Sequence, residues 1–136
     1  MAPEISLGGN FSYDLNGEFY STTTIYGYIK KEEVVESYKT LLAVMNSKLL
    51  WWYLVNTGTV LANGYFRFKP NYIKPFPLPN FSSKKAMILE KLVDEILQKK
   101  KQEPFADISK IIHEIDNIIF ELYNLNEDEV KIINSL

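Results

Sequence analysis

The chain has 136 residues, 46% hydrophobic and 14% aromatic, with 15 basic residues against 17 acidic ones and no cysteine. That is one domain's worth of apolar material, and it excludes a low-complexity tail, a collagen-like polymer, a disulfide scaffold and a thiolate metal site. No apolar run approaches the roughly 18 residues of a membrane span. Met1-Ala2-Pro3-Glu4 also lacks the blocks of a signal peptide, so a soluble, cytoplasmic protein without membrane contact is expected.

The first thirty residues read as β structure. Residues 11–15 and 18–21 flank Asn16-Gly17, a pair suited to a type I′ hairpin turn, with Tyr13 opposite Tyr20. Residues 22–29 are β-branched and aromatic and extend the sheet as a third strand. The period then changes. Val35, Tyr38, Leu42, Met45, Leu49 and Trp52 recur at spacings of three and four, which predicts one long amphipathic helix over 31–56. Glu32, Glu33 and Glu36 fall in its first turns, where the helix dipole favours them.

Residues 57–62 and 65–69 predict a second hairpin around Asn63-Gly64. Strand alternation puts Tyr65, Arg67 and Lys69 on an outer cationic face and Phe66 and Phe68 on a buried one. Pro70, Pro75, Pro77 and Pro79 predict an extended, stiff connector. After Ser82 the chain reads as helical. One helix stops before Glu103-Pro104, and a second is capped by Asp107 and ended by Asn124. A short last helix starts at a capping box formed by Asn126 and Glu129.

Charge is unevenly placed. From 47 to 85 there are six basic residues, Lys48, Arg67, Lys69, Lys74, Lys84 and Lys85, and no acid. From 103 to 131 eight acids face Lys110 and Lys131 alone. Catalytic motifs are missing: no glycine-rich phosphate loop, no Asn/Asp-Pro-Pro-aromatic run, no acidic-x-Lys nuclease spacing and no nucleophilic triad. The lone His113 reads as a surface residue and not as a base. Cations that neutralise phosphates and amides or rings that meet bases do coincide in the basic middle. There Arg67 suits a guanine edge, Asn63 or Asn71 an adenine, and Lys69, Lys74, Lys84 and Lys85 suit phosphates. A plain two-faced strand is the competing reading of the same alternation. An RNA-stacking sheet is disfavoured because Phe66 and Asn63 stand where that strand wants a small and a basic residue.

Four segments, in order, resemble one family. Phe11-Ser-Tyr-Asp-Leu-Asn-Gly-Glu-Phe-Tyr20 is similar to its opening hairpin, and Leu41-Leu-Ala-Val-Met-Asn-Ser-Lys-Leu-Leu50 to its asparagine-serine-lysine helix. Gly64-Tyr-Phe-Arg-Phe-Lys-Pro-Asn-Tyr-Ile73 with Phe76-Pro-Leu-Pro79 resembles its arginine-containing stretch. The segment from Ile115-Asp-Asn to Glu129 resembles its closing helix, with Phe120 in place of the usual Tyr. The family is the TaqI-like carboxy-terminal target-recognition domain of adenine-N6 DNA methyltransferases and fused type IIG restriction-modification enzymes. The second motif and the Pro-Leu-Pro end also occur in specificity subunits of type I systems.

The resemblance implies an α+β fold, with a small amino-terminal antiparallel sheet on a long packed helix, followed by a carboxy-terminal helical hairpin. Residues 1–81 are expected to form the recognition core and 82–136 a helical region of the same domain. It also implies a non-catalytic, monomeric fragment that binds double-stranded DNA beside a methyltransferase domain of the same polypeptide. S-adenosylmethionine, and Mg where a nuclease is fused, would belong to that parent and not to this piece. The expected DNA contacts are Arg67, Lys69 and Lys74, with Asn63, Tyr65 and Asn71 nearby, Tyr20, Thr22 and Thr24 from the first sheet, and Lys84 and Lys85 at a helix start. Asn46, Ser47 and Asp116 are expected to be structural. The alternative from another class is a protein-interaction domain whose aromatic strand docks a neighbouring subunit.

Overall fold

Residues 2–6 form the spine of the amino-terminal β structure in the computed structural model, which describes residues 1–136. β1 (Ala2–Pro3) pairs antiparallel with β3 (Ile25–Tyr26), and β2 (Ile5–Ser6) with β4 (Phe66–Arg67). Glu4, between the two short strands, joins both ribbons: its amide donates to the Thr24 carbonyl at 2.9 Å, and its carbonyl accepts from the Phe68 amide at 2.7 Å. The sheet is thus built on the extreme amino terminus, which the expected hairpins left out.

Neither hairpin forms as expected. Residues 11–21 hold no strand, and Asn16 keeps a negative φ, so the type I′ turn is not made. The Asp14 carboxylate folds this turn instead, accepting from the amides of Glu18 at 3.1 Å and Phe19 at 3.0 Å. Those bonds hold the Asp14 carboxyl below its usual range, the Phe19 amide contributing most. Tyr13 stacks on Tyr38 with centroids 5.5 Å apart, not on Tyr20. Of the expected third strand only Ile25–Tyr26 is extended and paired. At the second hairpin the turn is as expected, with Asn63 at φ 64 and Gly64 at φ 76. Its incoming strand shrinks to a bridge between Val60 and Phe66, and β2 takes the place of partner.

The long helix over 31–56 is two helices, α1 (Tyr38–Met45) and α2 (Lys48–Thr57). Ser37 caps α1 by accepting from the Thr40 amide, so residues 31–37, including all three glutamates, stay outside it. Ser47 breaks the run for the same reason: its Oγ accepts from the Leu50 amide at 3.2 Å and donates to the Val44 carbonyl at 2.7 Å. One serine closes α1 and opens α2. Pro70 does not extend the connector either; it starts the short α3 (Pro70–Ile73), where its fixed φ and missing N–H suit the first turn.

The carboxy-terminal elements follow the sequence reading. α4 (Ser83–Gln102) is capped by Ser82; α5 (Ser109–Leu122) has Ile108 and not the expected Asp107 at its cap position, and Asp107, one residue earlier, accepts from the Ser109 amide at 2.9 Å. Asn124 has φ 53. α6 (Glu127–Asn134) carries the complete Asn126–Glu129 capping box. α4 and α5 pack on each other as the expected hairpin, which is seated on the amino-terminal helices: α4 packs chiefly on α1, and α5 and α6 also pack on α2. A single cluster of 16 buried residues runs from Ala43 to Ile133 and includes Leu50, Leu54, Phe68, Leu89 and Ile119. The small antiparallel ribbons and the helices together make an α+β fold.

Candidate nucleic-acid interface

β4 is held from beneath by aromatic packing. Trp51 of α2 lies parallel to Phe68 at 6.0 Å and edge-on to Phe66 at 5.3 Å, so the apolar side of the strand faces the core. Phe68 is fully buried and Phe66 half-buried. The opposite positions carry the cations. Arg67, the chain's single arginine, is half-buried and takes part in none of its ion pairs. Its Nε is buried without a hydrogen-bond partner. Lys69 reaches Glu4 at 3.5 Å, a half-exposed pair of the kind worth little in water.

Around this strand Asn63, Tyr65, Asn71 and Lys74 are exposed. Asn63 and Gly64 form the turn before β4, Asn71 lies on α3, and Lys74 caps the end of α3 without an ion pair. The Glu4 bridge draws Thr24 into the same β structure through its carbonyl. Thr22 turns back to the Ile25 amide. Tyr20 is 97% exposed on the Asp14 loop. Lys84 is exposed at the start of α4, whereas Lys85 is joined to Glu121 of α5 at 3.0 Å. Residues 63–74 are thus contiguous in the chain around β4, Thr24 is tied to them only through the Glu4 backbone, and Tyr20, Lys84 and Lys85 lie on other elements.

Glu4 is the residue that sequence reasoning missed. It is the carboxylate that pairs with a cation of this strand, and nothing local in the sequence couples it to residue 69.

The motif residues expected to be structural meet at one junction. Asn46 accepts from the Phe11 amide at 2.9 Å and donates to the Phe11 carbonyl at 3.0 Å. Gly9 lies close to this point, so that a Cβ there would come 3.0 Å from the Asn46 Cα, a tight approach to backbone. Asp116, buried on α5, accepts from the Lys48 amide at 2.9 Å and so caps α2 from another helix. Burial pushes its carboxyl above the usual range, partly offset by that amide bond. Tyr28 is pushed up to about 12 by burial, and its hydroxyl donates to the Phe68 carbonyl at 3.3 Å. No group of three or more His, Asp or Glu side chains is placed to hold a metal ion, and no helix is long and apolar enough to cross a membrane.

The α+β scaffold presents a strand, β4, with aromatic packing beneath it and cationic side chains at the alternate positions, a surface suited to binding. A family model described as the TaqI-like C-terminal specificity domain matches residues 1–78, more than half of the chain, and the chain belongs to that family. Membership brings DNA target recognition in restriction-modification enzymes, a non-catalytic role. Comparison with curated proteins and with solved structures returned no match.

Proposed function

We propose that this chain reads a double-stranded DNA site through the β4 edge and positions it for an adenine-N6 methyltransferase domain of the same polypeptide. That domain would bind S-adenosylmethionine and extrude the target base, in the cytoplasm, with the recognition module acting as a monomer. Arg67 addresses a base edge or a phosphate; Asn63, Tyr65 and Asn71 flank it; Lys69, Lys74 and Thr24 follow the backbone. Tyr20, Thr22, Lys84 and Lys85 are outlying contacts, and Lys85 would have to share Glu121. Residues 1–81 form the recognising part and 82–136 its helical support.

The observation that carries this reading is the state of Arg67. A half-buried guanidinium without a carboxylate, and with an orphaned Nε, forgoes roughly 1–3 kcal/mol of hydrogen bonding. An anion at the exposed part of the guanidinium would give it the charge partner that the chain itself does not supply. In the intact restriction-modification enzyme, Arg67→Ala is expected to weaken specific binding by about 1–3 kcal/mol and to relax discrimination at one base pair, read by competition with base-substituted duplexes. Unchanged affinity and unchanged discrimination would remove Arg67 from the interface.

A further inference from the structure

We propose, on the reading that β4 is the DNA edge, that the hydrogen bond between Thr59 and Tyr72 is a clasp fixing the turn before β4 relative to α3, which makes Tyr72 a positioning residue for target discrimination. The two asparagines suited to adenine edges sit on these two elements. Asn63 is in the turn and Asn71 on α3, and both are exposed. Each element is closed by its own bonds. In the turn, Val60 bridges to Phe66, the Leu61 amide donates to the Tyr65 carbonyl at 2.7 Å, and the Gly64 amide donates to the Leu61 carbonyl at 3.3 Å. In α3 the Tyr72 amide donates to the Lys69 carbonyl at 2.9 Å and the Lys74 amide to the Pro70 carbonyl at 2.8 Å. The link between them, besides the chain through β4, is the contact of the Thr59 and Tyr72 hydroxyls at 2.7 Å.

The pair is better suited to orientation than to stability. Its hydroxyls are exposed, so water competes for both and the net stabilisation is small. The Tyr72 ring, by contrast, is half-buried and packs against the core. A ring anchored below with its hydroxyl at the surface gives Thr59 a fixed point. Gly58, one residue earlier, gives a second. Its amide donates to the Leu54 carbonyl at 2.7 Å, and a Cβ there would come 2.6 Å from that same oxygen. The base of the turn is therefore held on α2 at residue 58 and on α3 at residue 59. A carboxamide reads a base edge only within narrow limits of distance and angle. A turn released from α3 would still reach phosphates but would lose discrimination between bases.

The probe is the duplex that the intact restriction-modification enzyme selects from a randomised pool, with single-base-pair variants of it as competitors. Tyr72→Phe keeps the ring and Thr59→Val keeps the branched shape, so both are expected to retain the circular dichroism of the wild type. Each is expected to lower discrimination at least about threefold at a base pair that Asn63→Ala or Asn71→Ala also relaxes, and the double variant to lose no more than the worse single one. A merely structural role would weaken binding to every duplex alike and leave these ratios unchanged. Unchanged ratios in either single variant overturn the clasp. So do losses that multiply in the double variant, which would make each hydroxyl a separate contact. Arg67→Ala separates the clasp from the wider reading. Relaxed ratios there beside unchanged ones in Tyr72→Phe overturn the clasp alone, and unchanged ratios in both overturn the β4 edge as well.

Discussion

Asp116 stands 68 residues from the amide it caps, and its environment sets two opposing effects. The hydrogen bond from Lys48 stabilises the carboxylate, but burial raises the carboxyl above its ordinary value of 3.8, and burial is the larger cause. The folded state therefore holds this proton more tightly than the unfolded chain. Its contribution is fully present below the ordinary value and is lost as pH rises through the raised folded one. Asp116→Asn keeps an acceptor for the Lys48 amide and removes the ionisation. Relative to wild type, this variant is expected to gain stability as pH climbs above 3.8; urea melts across that window check the sign, and a flat or falling difference contradicts it. Asp116→Ala removes the acceptor as well and is expected to cost about 1–2 kcal/mol at neutral pH. Glu4 offers a second single-residue test. Its carboxylate lies 3.5 Å from the Lys69 amine, so Glu4→Gln frees a cation beside the proposed DNA edge. Duplex affinity of the intact enzyme, measured at low salt, is expected to rise several-fold; a fall would place Glu4 among groups the DNA needs.

Elements fixed by their own ends were legible, and elements fixed by distant partners were not. The Asn126–Glu129 box and the Asn124 stop each act within a few residues, and both occur as the sequence implies. The split between α1 and α2 has a local signal. Ser37 and Ser47 each precede a helix by one residue, and a hydroxyl there competes with the ladder and favours a cap. A continuous hydrophobic period hid this, because α2 keeps the apolar positions in phase after the break. Ser47→Ala is expected to destabilise the fold by about 1 kcal/mol in denaturant unfolding, and an unchanged midpoint would contradict the capping role. The β structure failed for the opposite reason. β4 pairs with residues some sixty positions earlier, and β3 with the first two residues after Met1, so no alternation in a window reveals either partner.

At the scale of the molecule, the family match ends at residue 78 but the core does not. α1 rests mainly on α4, and α2 takes its cap from α5. Residues 1–78 alone are therefore expected to lack a cooperative thermal transition in calorimetry, whereas a sharp transition would show the helices to be dispensable. The aromatic side of residues 65–69 was readable from alternation, since Phe68 is buried and Tyr65 exposed, but Arg67 is half-buried as Phe66 is and its Nε is buried, which alternation does not reveal. Which cations are free was not readable either, because Lys69 and Lys85 find Glu4 and Glu121 only in the folded chain. Lys74 is exposed and unpaired, which makes it the cleanest reporter of phosphate contact. The decisive measurement is the slope of log affinity against log salt for duplex binding by the intact enzyme and its Lys74→Ala variant. The account predicts a slope shallower by about one in the variant, with weaker binding on every sequence tested. Identical slopes for the two proteins would contradict it.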